Sequence, residues 1–88
     1  MKIIKLGAAW CPGCYIMKPR FAEIEQEEPA LQTEYFDVDE HPEMKEKYHY
    51  ADLPAFIFLD NQGNELLRHY GIVSKKELVN DIIKTISL

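Results

Sequence analysis

The apolar positions along this chain change their period near residue 10. Residues 2–8 form a short apolar run with the length of a strand. Residues 11 to about 27 place apolar side chains along one face of a helix, at Cys14, Met17, Phe21 and Ile24. Pro19 lies inside this segment, where it removes one backbone hydrogen bond, and Pro29 marks its end. The pattern predicts a strand followed directly by an amphipathic helix.

The middle of the chain predicts two further strands separated by a short helix. Residues 33–38 are predicted as a strand, and a helix opens at Pro42 with Met44 and Tyr48 one turn apart toward the core. Residues 55–59 read Ala-Phe-Ile-Phe-Leu, an unbroken apolar run typical of a strand covered on both faces. We expect this buried strand to pair with the first one.

The C-terminal third predicts a hairpin and a last helix. Turn residues at 60–64 lead into a strand at 65–70, and residues 74–77 match a helix capping box. A wide apolar stripe follows the box, at Leu78, Val79, Ile82, Ile83 and Ile86. The predicted order is β-α-β-α-β-β-α, an α/β fold in a single domain spanning residues 1–88.

Composition limits the classes of partner. The net charge of -5 provides no basic surface for nucleic acid, and no apolar run approaches the ~20 residues that span a bilayer. We see no leader with a basic start, an apolar middle and a small-residue cleavage site, so we expect a cytoplasmic protein. Separately, we expect it to be a monomer. Its 88 residues suffice for a modest core that folds with reduced cysteines.

The two cysteines of the chain lie three residues apart, in Trp10-Cys11-Pro12-Gly13-Cys14. A helix starting here places Cys11 at the N-cap and Pro12 at the first helical position, where proline is favoured. The N–H groups of Gly13 and Cys14 and the helix dipole would then favour a thiolate at Cys11, the expected nucleophile. Cys14 follows one turn later, in the helix seam, as the resolving thiol. The pair predicts a redox-active disulfide that needs no bound cofactor.

Two other uses of the cysteines are weaker. A disulfide across so short a loop constrains the unfolded chain only slightly and adds little stability. A Cys-x-x-Cys pair is half of a tetrahedral zinc site, but no second pair exists, and His41, His49 and His69 are scattered along the chain. Metal binding stays open as an alternative.

At this point the chain resembles the thioredoxin family. The matching features are the Trp-Cys-x-x-Cys after a strand, a proline within the helix at Pro19, Pro54 before the buried strand, and the Tyr-Gly-Ile loop at 70–72. They extend over residues 3–86. The resemblance implies a thioredoxin-like fold, with a four-stranded mixed sheet flanked by helices, lacking the leading strand and helix of full-length thioredoxin. Residues 33–38 would then form an exposed sheet edge.

The resemblance also implies a substrate and a partner. It makes Pro54 a cis proline facing the disulfide, which leaves the Leu53 backbone free to pair with an extended client peptide beside Cys11. An apolar docking surface would surround the site, formed by Trp10, Val38, Leu53, Pro54, Gly71 and Ile72. The implied substrates are protein disulfides, and the implied recycling partner is a thioredoxin reductase that uses NADPH and flavin.

Two departures from the family pattern bear on mechanism. Lys5 occupies the position of the buried aspartate that accepts the proton of the resolving thiol, and we hypothesise that Lys5 assists Cys14 instead. Pro12-Gly13 inverts the usual Gly-Pro and places proline where glutaredoxins have it. The residues before Pro54 are Asp-Leu, however, and do not match the Thr-Val of a glutathione site. We therefore predict a protein-disulfide reductase, with a glutathione-recycled glutaredoxin-like protein or a redox-independent binding module as alternatives.

Overall fold

The computed structural model describes residues 1–86. In chain order its elements are β1 (Lys2–Gly7), α1 (Pro12–Glu27), β2 (Gln32–Asp37), α2 (Met44–Tyr48), β3 (Ala55–Leu59), β4 (Glu65–Tyr70) and α3 (Lys75–Ile86). The order predicted from periodicity is confirmed, and the element bounds differ from the predicted ones by two residues at most. Within residues 1–86, no helix is both long and apolar enough to cross a membrane.

The four strands form one mixed sheet in the order β2-β1-β3-β4. β1 pairs in parallel with β2 and antiparallel with β3, and β3 pairs antiparallel with β4. The predicted pairing of the first strand with the apolar strand is therefore confirmed, as is the edge position of the second strand. In the β1–β2 register, Lys5 lies opposite Tyr35 and Gly7 lies opposite Asp37.

The sheet is covered on both faces, which is why every residue of β3 is buried. Successive side chains of a strand point to opposite faces, so the core divides into two clusters. One cluster joins the sheet to α1 and α3, through Ile3, Met17, Phe21, Ile24, Phe56, Phe58, Leu78 and Ile82. The other joins it to α2 and the loops around it, through Ile4, Leu6, Val38, Met44, Ala55, Ile57 and Leu59.

The start of α1 follows from two neighbouring residues. Cys11 adopts an extended conformation at the N-cap, with φ -90° and ψ 112°, and Pro12 opens the helix as predicted. The helix runs on through Pro19, and at its end the Glu28 N–H donates a 2.9 Å hydrogen bond to the Ile24 carbonyl. The strand-to-helix junction therefore places Cys11 directly beyond the end of β1.

The apolar stripe of α3 is narrower than the sequence predicts. Leu78 and Ile82 are buried, whereas the side chains of Ile83 and Ile86 are 57% and 55% exposed. The buried residues of α3 are Leu78, Ile82 and Thr85. One residue turns a helix by about 100°, so Ile83 and Ile86, each one position beyond a buried residue, turn toward solvent. Our expectation for Ile83 and Ile86 was therefore wrong.

The other helix starts also depart slightly from prediction. The Ser74 hydroxyl accepts a 3.2 Å hydrogen bond from the Glu77 N–H, which is one half of the predicted capping box. α2 begins at Met44, two residues after Pro42, because residues 42 and 43 form a turn.

Candidate active site

Both cysteines lie at the N-terminal end of α1 as free thiols. The sulfur of Cys11 accepts a 3.3 Å hydrogen bond from the backbone N–H of Cys14. The sequence predicts backbone N–H donors at Gly13 and Cys14, and the structure shows the hydrogen bond from Cys14. The cap geometry places Cys11 where the unpaired N–H groups and the dipole of the helix favour negative charge.

The burial of the two cysteines is the reverse of what the helical pattern predicts. Cys11 is only 3% exposed, because it packs into the cluster that contains Ala8 and Val38. Cys14, which we expected to be enclosed in the seam, is half-buried and borders a groove between α1 and β2. Cys14 therefore lines a different groove from the one that Cys11 lines.

The environment of Cys14 favours its neutral form. Burial is the main cause that raises the pKa of the Cys14 thiol from 9.0 to about 11. Its hydrogen bond with Cys11 and the negative charges of Cys11 and Asp37 act in the same direction, while a backbone hydrogen bond with Ala8 opposes them. Cys14 is therefore a protonated thiol at neutral pH and has to lose a proton before it can attack a disulfide.

A contact at Gly7 joins Cys14 to the edge strand. A Cβ on Gly7 would lie 2.9 Å from the Cys14 sulfur and 2.9 Å from the Tyr35 hydroxyl oxygen. Only a residue without a side chain admits both atoms at this point, the end of β1. We did not select Tyr35 or Gly7 from the sequence. A glycine ending a strand just before the cysteine motif was the available signal for close backbone approach.

Lys5 lines the same groove as Cys14, but its ammonium pairs with a carboxylate of α1. Its Nζ lies 2.9 Å from the Glu25 carboxylate and 5.4 Å from the centre of the Phe21 ring. The Thr33 hydroxyl donates to the same carboxylate oxygen of Glu25. The Glu25 carboxylate therefore joins α1 to both β1 and β2. The assistance of Lys5 to Cys14 stays a prediction.

Pro54 lies against the active-site turn. The Leu53–Pro54 peptide bond is cis, as the family resemblance implies, and Pro54 is buried. A Cβ on Gly13 would lie 3.0 Å from the Cδ of Pro54, so glycine between the cysteines allows this close packing. The carbonyl of Pro54 accepts a 2.8 Å hydrogen bond from the Gly71 N–H, which fixes the next loop beside it.

The predicted docking residues lie around Cys11 but differ in exposure. Trp10 and Ile72 are 65% and 57% exposed, Leu53 and Gly71 are half-buried, and Val38 is buried. Trp10, Val38 and Leu53 line one shallow groove together with Cys11. Ile72 lies beside Gly13, since its Cγ1 would be 3.7 Å from a Cβ on that glycine.

Two further contacts shape this surface. The Trp10 indole N–H donates a 2.9 Å hydrogen bond to Asp39, which holds the exposed ring beside the groove. The backbone N–H of Leu53, which we expected to be free for a client, donates a 2.8 Å hydrogen bond to the Asp52 carboxylate. That expectation was wrong for the N–H group. Both partners of this bond are at the surface, so a client carbonyl can compete for it.

Arg20 supports the loop that carries Ile72, a role that we did not predict. Its guanidinium donates a 2.6 Å hydrogen bond to the carbonyl of Val73. The N–H of Val73 in turn donates to the sulfur of Met17, which is buried in the core as expected. No spacing in the sequence marks Arg20 as a loop anchor.

The three histidines occupy separate positions. His41 lies 3.2 Å from Glu43, His49 caps α2 in the left-handed conformation, and His69 contacts Asp81. Among the residues that the structure describes, no group of three or more histidine, cysteine, aspartate and glutamate side chains is placed to hold a metal ion.

Comparisons with known proteins agree with this architecture. The family model described as Thioredoxin matches residues 1–84. A thioredoxin H-type from Oryza sativa subsp. indica is 37% identical over 82 residues, covering 93% of this chain and 66% of the rice protein. This chain therefore spans slightly less than two thirds of that relative.

Solved structures show the same likeness. Thioredoxin NaTrxh from Nicotiana alata superposes with a TM-score of 0.86 at 28% identity, over 94% of this chain and 70% of the other. Fasciola hepatica thioredoxin superposes with a TM-score of 0.85 at 26% identity, over 94% and 78% respectively. The fold is that of thioredoxin, and the chain belongs to the thioredoxin family.

Proposed function

We propose that this protein is a thiol–disulfide oxidoreductase that reduces disulfides in other proteins. One observation carries the proposal: the Cys11 sulfur caps α1 and accepts the Cys14 N–H at 3.3 Å. The cap turns a helix N–H donor toward this sulfur, the expected nucleophile, and keeps the second thiol within one helical turn. Membership of the thioredoxin family supports the same chemistry.

The reaction consists of two thiol–disulfide exchanges. The Cys11 thiolate attacks one sulfur of a client disulfide, so the client S–S bond breaks and the other client sulfur leaves and takes up a proton. Cys14 then loses its proton and attacks the Cys11 sulfur of the mixed disulfide. A Cys11–Cys14 disulfide forms and the second client thiol is released. Two electrons pass from the dithiol to the client, with no bound cofactor required.

The surface around Cys11 suggests how the client is held. An extended client segment would pair with the backbone of Leu53, where its carbonyl replaces the Asp52 carboxylate on the N–H group. Trp10 and Ile72, both exposed, would cover its apolar side chains. The client disulfide then lies over the open end of α1, beside Pro54.

We further propose recycling by a thioredoxin reductase that uses NADPH and flavin. The reducing cytoplasm would be the setting, because a dithiol is regenerated there and disulfides are usually catalytic. We expect the protein to act as a monomer. Recycling by glutathione is the alternative for the electron donor. The alternative function is a binding module that holds a partner on the same surface without redox chemistry.

Insulin reduction tests both the activity and its electron donor. We expect turnover with NADPH and thioredoxin reductase to exceed turnover with glutathione and glutathione reductase. Cys11→Ser should abolish turnover, and Cys14→Ser should leave a mixed disulfide at Cys11 that can be trapped and identified by mass.

Three outcomes would contradict these proposals. Faster turnover with glutathione assigns the other donor. A Cys11→Ser, Cys14→Ser double variant that retains full biological activity favours the binding module. Zinc or copper retained after purification under reducing conditions favours a metal carrier.

A further inference from the structure

Tyr35 is the polar side chain of β2 that reaches the end of β1 beside Cys14. Its hydroxyl oxygen and the Cys14 sulfur would both lie 2.9 Å from a Cβ on Gly7. The oxygen and the sulfur therefore border the same backbone atom, one from the edge strand and one from α1. Tyr35 is also 53% exposed, and it lines the same groove as Cys14.

Cys14 needs such a neighbour because of its protonation state. A neutral thiol has to give up its proton during the second exchange, and the β1 position facing the groove holds Lys5. The ammonium of Lys5 is a hydrogen-bond donor already bound to Glu25. Lys5 in that state has no lone pair with which to accept a proton.

Other ionisable groups border the same groove, from each element packed against it. They are Tyr15 and Lys18 of α1, Lys5 of β1, and Tyr35 and Asp37 of β2. The Tyr15 hydroxyl donates a 2.6 Å hydrogen bond to the Ala9 carbonyl and is held there. One oxygen of Asp37 accepts a 2.9 Å hydrogen bond from the Asp39 N–H. The Tyr35 hydroxyl is the one that shares the space beside Gly7 with the Cys14 sulfur.

We propose that the Tyr35 hydroxyl is a proton relay for Cys14 in the second exchange, an inference that rests on the proposed function. As the Cys14 sulfur attacks Cys11, its S–H bond breaks and the proton passes to the Tyr35 oxygen, directly or through one water molecule of the groove. The proton already on that oxygen passes to a water molecule in the groove. The phenol is unchanged overall, and the proton reaches solvent.

Electrostatics keep Tyr35 in the form that a relay requires. Burial is the main cause that raises the pKa of the Tyr35 phenol, and the negative charges of Asp37, Cys14 and Cys11 add to it. The phenol therefore stays neutral at physiological pH, with one proton to give and lone pairs to accept another.

A single-turnover reaction with Ellman's reagent separates the two exchanges. Attack by Cys11 releases one thionitrobenzoate, and attack by Cys14 on the resulting mixed disulfide releases the second. In Tyr35→Phe we expect the first phase to be unchanged and the second phase to slow by about tenfold at neutral pH. This is less than a typical general acid–base effect, because water can partly replace the missing hydroxyl. The difference should shrink as the pH rises, because burial still raises the pKa of the Cys14 thiol in the mixed disulfide and alkaline solution ionises it without help.

Tyr48→Phe is the matched control, because it removes a phenol hydroxyl from a different groove, beside Ile4 and Leu59, and not from the groove that Cys14 and Tyr35 share. Its two phases should match those of the unmodified protein. Thermal unfolding of both variants checks that the fold is intact. A second phase in Tyr35→Phe that is unchanged, or slowed equally at every pH, overturns the relay. If the unmodified protein releases only one thionitrobenzoate, both the relay and the proposed function fail.

Discussion

Lys5 of β1 and Glu25 of α1 form an ion pair with 2.9 Å between the ammonium nitrogen and a carboxylate oxygen. The Thr33 hydroxyl donates to the same oxygen, so one carboxylate joins three elements of the fold. This pairing neutralises the cation at the position where other thioredoxins carry an aspartate. It also explains why an acidic side chain near the end of α1 turns inward.

The Lys5–Glu25 pair predicts a pH-dependent stability. Burial acts to raise the pKa of Glu25, but the hydrogen bonds from Thr33 and Lys5 outweigh it and hold the pKa below 4.5. The stabilisation is therefore present above pH 4.5 and is lost as the pH falls through the folded-state pKa. We expect Glu25→Gln to lower the free energy of unfolding by about 1 kcal/mol at neutral pH and by less in acid.

Urea unfolding at neutral pH and well below pH 4.5 measures this difference. Glu27→Gln is the control, since Glu27 pairs with Lys75 on the surface and should contribute less. A loss of stability in Glu25→Gln that is the same at both pH values would contradict the assignment.

The hypothesis that Lys5 assists Cys14 can be tested by Lys5→Met. Because Glu25 holds the ammonium, we expect Lys5→Met to change the second phase of thionitrobenzoate release much less than Tyr35→Phe does. The two variants are compared in the same stopped-flow series over several pH values. A second phase that is unaffected at every pH would remove the hypothesis drawn from the sequence, whereas slowing equal to that of Tyr35→Phe would restore it.

Gly7→Ala offers an independent test of the contact at the end of β1. The added Cβ would lie too close to both Cys14 and Tyr35, so one of them must move. Tyr35 is the more exposed, and its ring can swing toward solvent. We expect the second phase of thionitrobenzoate release to slow about as much as in Tyr35→Phe, roughly tenfold, with the first phase retained. A second phase at the normal rate would show that the contact does not matter for resolution.

The two thiols should differ in reactivity. In Cys14→Ser, we expect iodoacetamide to alkylate Cys11 readily at neutral pH, because the helix cap favours its thiolate. In Cys11→Ser, alkylation of Cys14 should be slow at neutral pH and should accelerate as the pH rises, because burial still raises the pKa of the Cys14 thiol. Mass spectrometry at timed intervals gives both rates. Equal rates at neutral pH would contradict the assignment of nucleophile and resolving thiol.

Two neighbouring isoleucines of α3 should contribute unequally to stability. Ile82 is 1% exposed within the core cluster, and Ile83 is 57% exposed. Ile82→Ala should lower the free energy of unfolding by about 2–5 kcal/mol, because it leaves a cavity. Ile83→Ala should change it by less than about 1 kcal/mol. Chemical denaturation measures the free energy of unfolding of each variant. Equal losses of stability would show that the apolar stripe of α3 is as wide as the sequence suggests.

The sequence alone determined the order of elements, the pairing of the apolar strand and the position of the cysteines at a helix start. These features depend on neighbours in the chain: the periodicity of apolar residues, the turn at 60–64, and Pro12 after Cys11. Local conformational preferences act over a few residues and can be read directly from them.

Tertiary structure alone decided what surrounds each sulfur. Cys11 is buried and Cys14 faces the groove because the end of β1, Val38 and the edge strand converge on α1 from distant parts of the chain. The same packing brings Tyr35 and Cys14 together beside Gly7, and it pairs the Lys5 ammonium with the Glu25 carboxylate. Spacing along a helix shows which face a side chain occupies. It does not show which strand lies opposite that face, so these contacts appear only when the sheet and the helix are packed together.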